Sequence, residues 1–205
     1  MKMMMRNRIY KNNIAILILI SFIFINSNVV YANNINDCEY FAENDSKIKN
    51  FLQTQKIQNP TMIGCSKLNI IGKKIYDIAL YGINDKFDNY NQNIALIIHY
   101  NTSASRDFIV NTSVKEIKRI NQQLNSEEID KIKLTLEKNL RDVAKNDVKI
   151  AIFYPNKSLK NNYLEIFRNN KNIGNFNDIN LAIYFLDIWL NKNAKFPNIR
   201  KELIN

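Results

Sequence analysis

The chain has 205 residues, with 29 Lys and Arg against 19 Asp and Glu and a formal net charge of +10. Its two cysteines and single histidine do not make a zinc site, because the thiols lie 27 residues apart with no histidine nearby. The lysines are scattered without a block of five or six, so the charge reads as a solvated basic surface and no nucleic-acid partner is expected.

Residues 1–13 carry Lys2, Arg6, Arg8 and Lys11 and no acid. Residues 14–25 form an apolar core of 12 residues, broken only by Ser21. A spanning helix needs about 20 apolar residues. A secretory signal needs a basic start, a shorter core and small residues at −3 and −1. Val30 and Ala32 supply those two positions, so residues 1–32 read as a signal peptide cut before Asn33. The competing reading is an uncleaved anchor extended through Val29 and Val30, which Asn26 and Asn28 interrupt. Cleavage leaves 173 residues with a net charge of +6, no stable membrane span, and a periplasmic or secreted location. That length fits one domain and a monomer, large enough to bury about 70% of its unfolded surface.

Residues 33–61 read as an irregular segment with a short helix after Asp45 or Ser46, ended by Pro60. The next stretch reads as strand, with Tyr76, Ile78 and Leu80 on one face and Asp77, Ala79 and Tyr81 on the other. Gly72 marks a bulge or turn within it. Residues 94–100 are a continuous apolar strand, central to a sheet, and carry His99 as a strand residue. A helix is expected after Thr112 or Ser113. A second follows Asn125 or Ser126, with Ile129, Ile132, Leu136, Leu140 and Val143 in one stripe. Residues 147–155 return to strand, with Val148, Ile150, Ile152 and Tyr154 on a common face. A hairpin turning at Asn169-Asn170, an apolar helix capped by Asp178 and a short helix after Pro197 complete the chain. This order argues an α+β domain over residues 62–205, an antiparallel sheet covered on one face by helices. In an exported protein the pair Cys38 and Cys65 is expected to be bonded.

Three stretches resemble the bacterial, exported branch of the chalcone isomerase-like family. They are "IGCSKLNIIGKKIYDIALYG", "ALIIHYNTSASRDFIVNTSVKEIKRI" and "LEIFRNNKNIGNFNDINLAIYFLDIWLNKNAKFPNIRKELI". The resemblance covers about residues 62–204 and implies an open-faced sandwich with a cleft between sheet and helices. Plant isomerases of the family use an Arg near the first strand, a Thr on the next, and a Tyr with Lys and Asn on the following helix. Here the Arg position falls at Ser66, beside Lys67, the Thr position falls near Asp77, and residues 110–121 contain no Tyr. Other members are non-catalytic fatty-acid binders that grip a carboxylate with Arg and Tyr.

The candidate ligand-binding residues are Arg106, Tyr76, Asp77, Tyr81, Tyr100 and Arg119. Each has a plainer reading. Arg106 suits a solvated loop, Arg119 pairs with Glu116 on one helix face, and the tyrosines suit a sheet. No catalytic residue, metal or cofactor is assigned. The leading expectation is a non-enzymatic domain binding a fatty acid or other small amphipathic ligand. The alternatives are an isomerase or lyase using other residues in the same cleft, and a structural or partner-binding envelope protein.

Overall fold

The computed structural model describes residues 38–156 and 161–204. The expected signal segment and its cleavage point lie outside them. The described residues belong to one compact unit, residues 33–205. Its elements in chain order are α1 (Glu39–Thr54), β1 (Thr61–Ile70), β2 (Lys73–Gly82), β3 (Ile94–Tyr100), α2 (Arg106–Ile120), α3 (Ser126–Asn139), β4 (Val148–Phe153), β5 (Leu164–Arg168), β6 (Lys171–Phe176), α4 (Ile179–Leu190) and α5 (Pro197–Leu203). The domain is α+β, as the element order implied.

The six strands form one antiparallel sheet in the order β1-β2-β3-β4-β5-β6. Each strand pairs with its neighbour in sequence, although α2 and α3 intervene between β3 and β4. Two of the turns are built from left-handed residues, Ile71-Gly72 between β1 and β2 and Asn169-Asn170 between β5 and β6. Two left-handed residues in a two-residue loop match the twist of the flanking strands. The run Ile94–Ile98 is buried throughout, as suits an inner strand.

Strand alternation sends residues to two faces. Ile78, Leu80, Leu96, Ile98, Ala151, Phe153 and Ile166 share one face by register. Helices α2–α5 cover it: Phe185 of α4 meets Phe176 edge-on, Asn139 of α3 lies against Gly174, and α5 packs on β1. A side chain at Gly64 would collide with the backbone of Glu202 and Leu203, so glycine admits the end of α5 to the edge strand.

The other face carries α1. Phe41, Ile48, Leu52 and Ile57 pack with Ala79, Ala95, Ile97, Ile150, Ile152 and Phe167 in a second core. Thus the segment expected to be irregular holds a 16-residue helix starting at Glu39. The expected caps sit inside it: Asp45 accepts a bond from the Tyr81 hydroxyl at 3.1 Å and pairs with Lys49 at 2.7 Å. Cys38 occupies the N-cap and is bonded to Cys65, so the helix start is tied covalently to β1. Helix α2 also starts earlier than Thr112. Ser105 caps it by accepting from the Phe108 N–H at 3.2 Å, and Ser113 lies buried within the helix. The expected caps of the next two helices hold. Asn125 and Glu128 form a reciprocal capping box, and Asp178 accepts from Asn180 and Leu181.

Candidate ligand site

Two sequence candidates meet on the face beneath the helix layer. Tyr76 of β2 and Tyr100 of β3 are register partners whose rings meet edge-on, with centroids 6.4 Å apart. Trp189 of α4 reaches down to them, and its indole N–H donates to the Tyr76 hydroxyl at 3.2 Å. Phe185 packs against Trp189 at 5.7 Å, continuing the aromatic wall. The three residues Tyr76, Tyr100 and Trp189 are half-buried, so this wall reaches the surface. Burial, then Tyr76 and Asp147, push the Tyr100 hydroxyl above its ordinary range, which keeps it a neutral donor. Among the described residues that hydroxyl has no hydrogen-bond partner.

Beside Tyr100 lies a residue that sequence reasoning did not single out. Lys149 of β4 is only 7% exposed. Its ammonium sits 5.7 Å from the Tyr100 ring centroid and donates one long bond, 3.4 Å, to the Arg141 carbonyl. No carboxylate among the described residues comes within 4 Å of it. Burial, then Arg168, push its amine down to about 8, while Asp147 and Asp142 oppose that shift. The guanidinium of Arg168 is itself held by Asp147 at 2.7 Å. Burial raises the Asp147 carboxyl, but the Ala144 N–H, the Asn169 amide and Arg168 outweigh it and hold Asp147 below the ordinary carboxylate range. The signal available in the sequence was one cationic residue within the run "VKIAIF".

Asp77 and Tyr81 belong to the opposite face, under α1. Asp77 does not face water or the helix layer. It is buried, paired with Lys74 at 2.6 Å, and accepts from Asn101 at 2.9 Å. Its second oxygen lies 3.3 Å from His99 Nδ1, which donates there when that nitrogen carries the proton. The His99 ring stacks on Tyr40 of α1 with centroids 3.7 Å apart and planes 2° apart. Tyr81, Tyr154 and His99 therefore meet α1 at three points along its length, since Tyr154 donates to the Gln55 carbonyl at 2.9 Å. This cluster fastens a helix to a sheet and accounts for both candidates.

The arginines lie elsewhere. Arg106 is the first residue of α2, half exposed, and bonds Asp107 at 3.0 Å, while its backbone N–H donates to Asp142. Arg119 binds Glu116 at 2.8 Å and also donates to the Asn193 carbonyl at 2.8 Å. Because Glu116 is buried, this pair joins α2 to the loop after α4 rather than decorating a surface. Ser66 points to the helix-layer side and donates to Glu202 of α5. Lys67, by register beside Asp77, lies on the other face and cannot replace a cation at Ser66. Among the described residues no group of three or more His, Cys, Asp or Glu could hold a metal ion. No described helix is long and apolar enough to cross a membrane.

A six-stranded antiparallel open sheet layered with helices is the chalcone isomerase-like fold. Among solved structures the chain is similar to a fatty-acid binding protein of that fold from Arabidopsis thaliana, with a TM-score of 0.50 at 12% identity, covering 71% of this chain and 86% of that one. At that identity the likeness carries the fold. No family model and no curated protein matches the sequence.

Proposed function

We propose that this chain is an exported, non-catalytic protein of the chalcone isomerase-like fold that binds a small amphipathic carboxylate, such as a fatty acid, between its sheet and its helix layer. The observation that carries the reading is the pair Lys149 and Tyr100: a buried ammonium with one long hydrogen bond beside an unpartnered hydroxyl. A buried cation is costly unless paired, and a carboxylate supplies the missing charge and acceptors. The wall of Tyr76, Trp189 and Phe185 gives an acyl chain apolar contact. The solved structure with the same fold is described as a fatty-acid binding protein, which agrees in chemistry.

Export rests on the signal-like residues 1–32 and is consistent with the Cys38–Cys65 disulfide. The division proposed with it is a signal peptide over residues 1–32, an N-terminal segment over residues 33–61, whose helix α1 packs on the sheet, and the chalcone isomerase-like domain over residues 62–205. The test is native mass spectrometry of protein purified from its own host. A co-purified fatty acid, released by denaturation, supports the reading. Protein that carries no lipid and takes up none from a fatty-acid solution removes it.

A further inference from the structure

Lys149 has chemistry beyond charge. Its backbone is fixed by pairing with Ile98 on one side and Arg168 on the other, so the amine is presented from a rigid strand. The charged and titratable groups facing it are Arg168 from β5, Asp147 from the start of β4, Asp142 from the loop after α3, and Tyr100 from β3. None of the three carboxylate and guanidinium groups is an ion-pair partner of the amine, and Arg168 is occupied by Asp147. With the amine pushed down to about 8 by burial, a larger share of it is neutral near pH 7 than of a surface lysine. A neutral, desolvated amine is a nucleophile toward carbonyl carbon.

We propose that Lys149 captures long-chain aldehydes covalently, as an imine. This rests on the reading that amphipathic ligands enter between sheet and helix layer at this place. The amine lone pair attacks the carbonyl carbon, forming a C–N bond, and the carbonyl oxygen takes up a proton to give a carbinolamine. Loss of that hydroxyl and the remaining N–H proton as water leaves the imine. One aldehyde is consumed and one water released, with no change of oxidation state. A fatty acid of the same chain length would form only an ion pair there, so the same site sorts two headgroups by bond type. The Tyr76–Trp189–Phe185 wall favours long apolar chains over short ones.

The experiment incubates the full protein purified from its host with decanal and sodium cyanoborohydride, which reduces an imine to a stable amine, and maps the modified peptide. Decanoate binding is measured in parallel on the same preparation. The expected result is one decyl group per chain, located on Lys149, with trapping half-maximal near pH 8. Lys149→Arg should lose the adduct while unfolding cooperatively as before, and Lys171→Arg, at an exposed position, should leave trapping unchanged. Modification spread over surface lysines, or trapping that rises only toward pH 10, overturns the covalent step. If decanoate binds and no Lys149 adduct forms, the inference fails and the ligand reading stands. If neither binds, both fail.

Discussion

At residue scale, the molecule sets a few side chains against the ordinary preferences of their positions. Ile71 is one. It is a β-branched residue at φ +48°, and its side chain is 67% exposed. That region is strained for β-branched residues, whereas Asn adopts it readily and Asn-Gly is the favoured pair for such a turn. Ile71→Asn should raise stability by about 1 kcal/mol, seen as a higher denaturant midpoint at unchanged slope. A lower midpoint would show that Ile71 makes a contact that outweighs its backbone strain. Lys149 is the second case. Its folded pKa of about 8 lies below the ordinary 10.5, so the unfolded chain binds more protons between those values. The contribution of Lys149 to stability therefore rises from pH 8 to 10.5, and its burial cost is full below pH 8. Comparing the pH profiles of the wild type and Lys149→Met isolates this term: the variant's gain in stability should be largest below pH 8 and shrink toward pH 10. A pH-independent difference would mean that packing, not charge, sets the cost.

At the scale of elements, the reading of the sequence succeeded where one rule dominated. The alternation of Val148, Ile150, Ile152 and Tyr154 placed all four on one face, and they lie together on the face that α1 covers. Turn chemistry at Asn169-Asn170 and capping at Asn125 and Asp178 were equally local and equally legible. Only the second half of helix α1 was legible, because the polar stretch Asn44-Asp45-Ser46 separates Phe41 from Ile48 and Leu52 and reads as a helix start, whereas Asp45 lies inside the helix, bonded to Lys49 and to a tyrosine 36 residues away. Helix α2 was misplaced because "RDFIV" has strand-like composition, and only Ser105 signals the cap. Lys149 escaped notice for the same tertiary reason. Alternation put it opposite Val148 and Ile150, a position that reads as solvent until a second layer of helices covers it. Tyr76 and Tyr100 could be grouped in advance, since antiparallel strands bring them together, but Asp77 and Tyr81 could be separated from them only by face. The disulfide belongs to this scale. Closing 27 residues, Cys38–Cys65 should contribute about 3–4 kcal/mol, so replacing both cysteines with serine should lower stability by that order. Alkylation without reductant should find no free thiol in the native protein. Two free thiols would refute the bond.

At the scale of the whole molecule, the positions where the resemblance would put the isomerases' groups are otherwise engaged. Cyclising a chalcone needs donors placed where negative charge develops, and losing one typically costs 10²–10³ in rate. Here Ser66 is spent on Glu202, Asp77 is buried under α1 on the other side of the sheet, and α2 has no tyrosine. Purified protein should leave a 2′-hydroxychalcone cyclising at its buffer rate, and an enhancement near that of a plant isomerase would restore the enzymatic reading. What the same architecture retains is a sheet face roofed by helices, with aromatic residues reaching the surface and a buried cation at Lys149. The most direct test titrates a long-chain fatty acid into the wild type and into Lys149→Met, both shown to unfold cooperatively. A charge-assisted contact of about 1.5–3 kcal/mol corresponds to an affinity at least about tenfold weaker in the variant, with the chain-length preference preserved. Equal affinity in the two proteins would contradict Lys149 as the carboxylate partner.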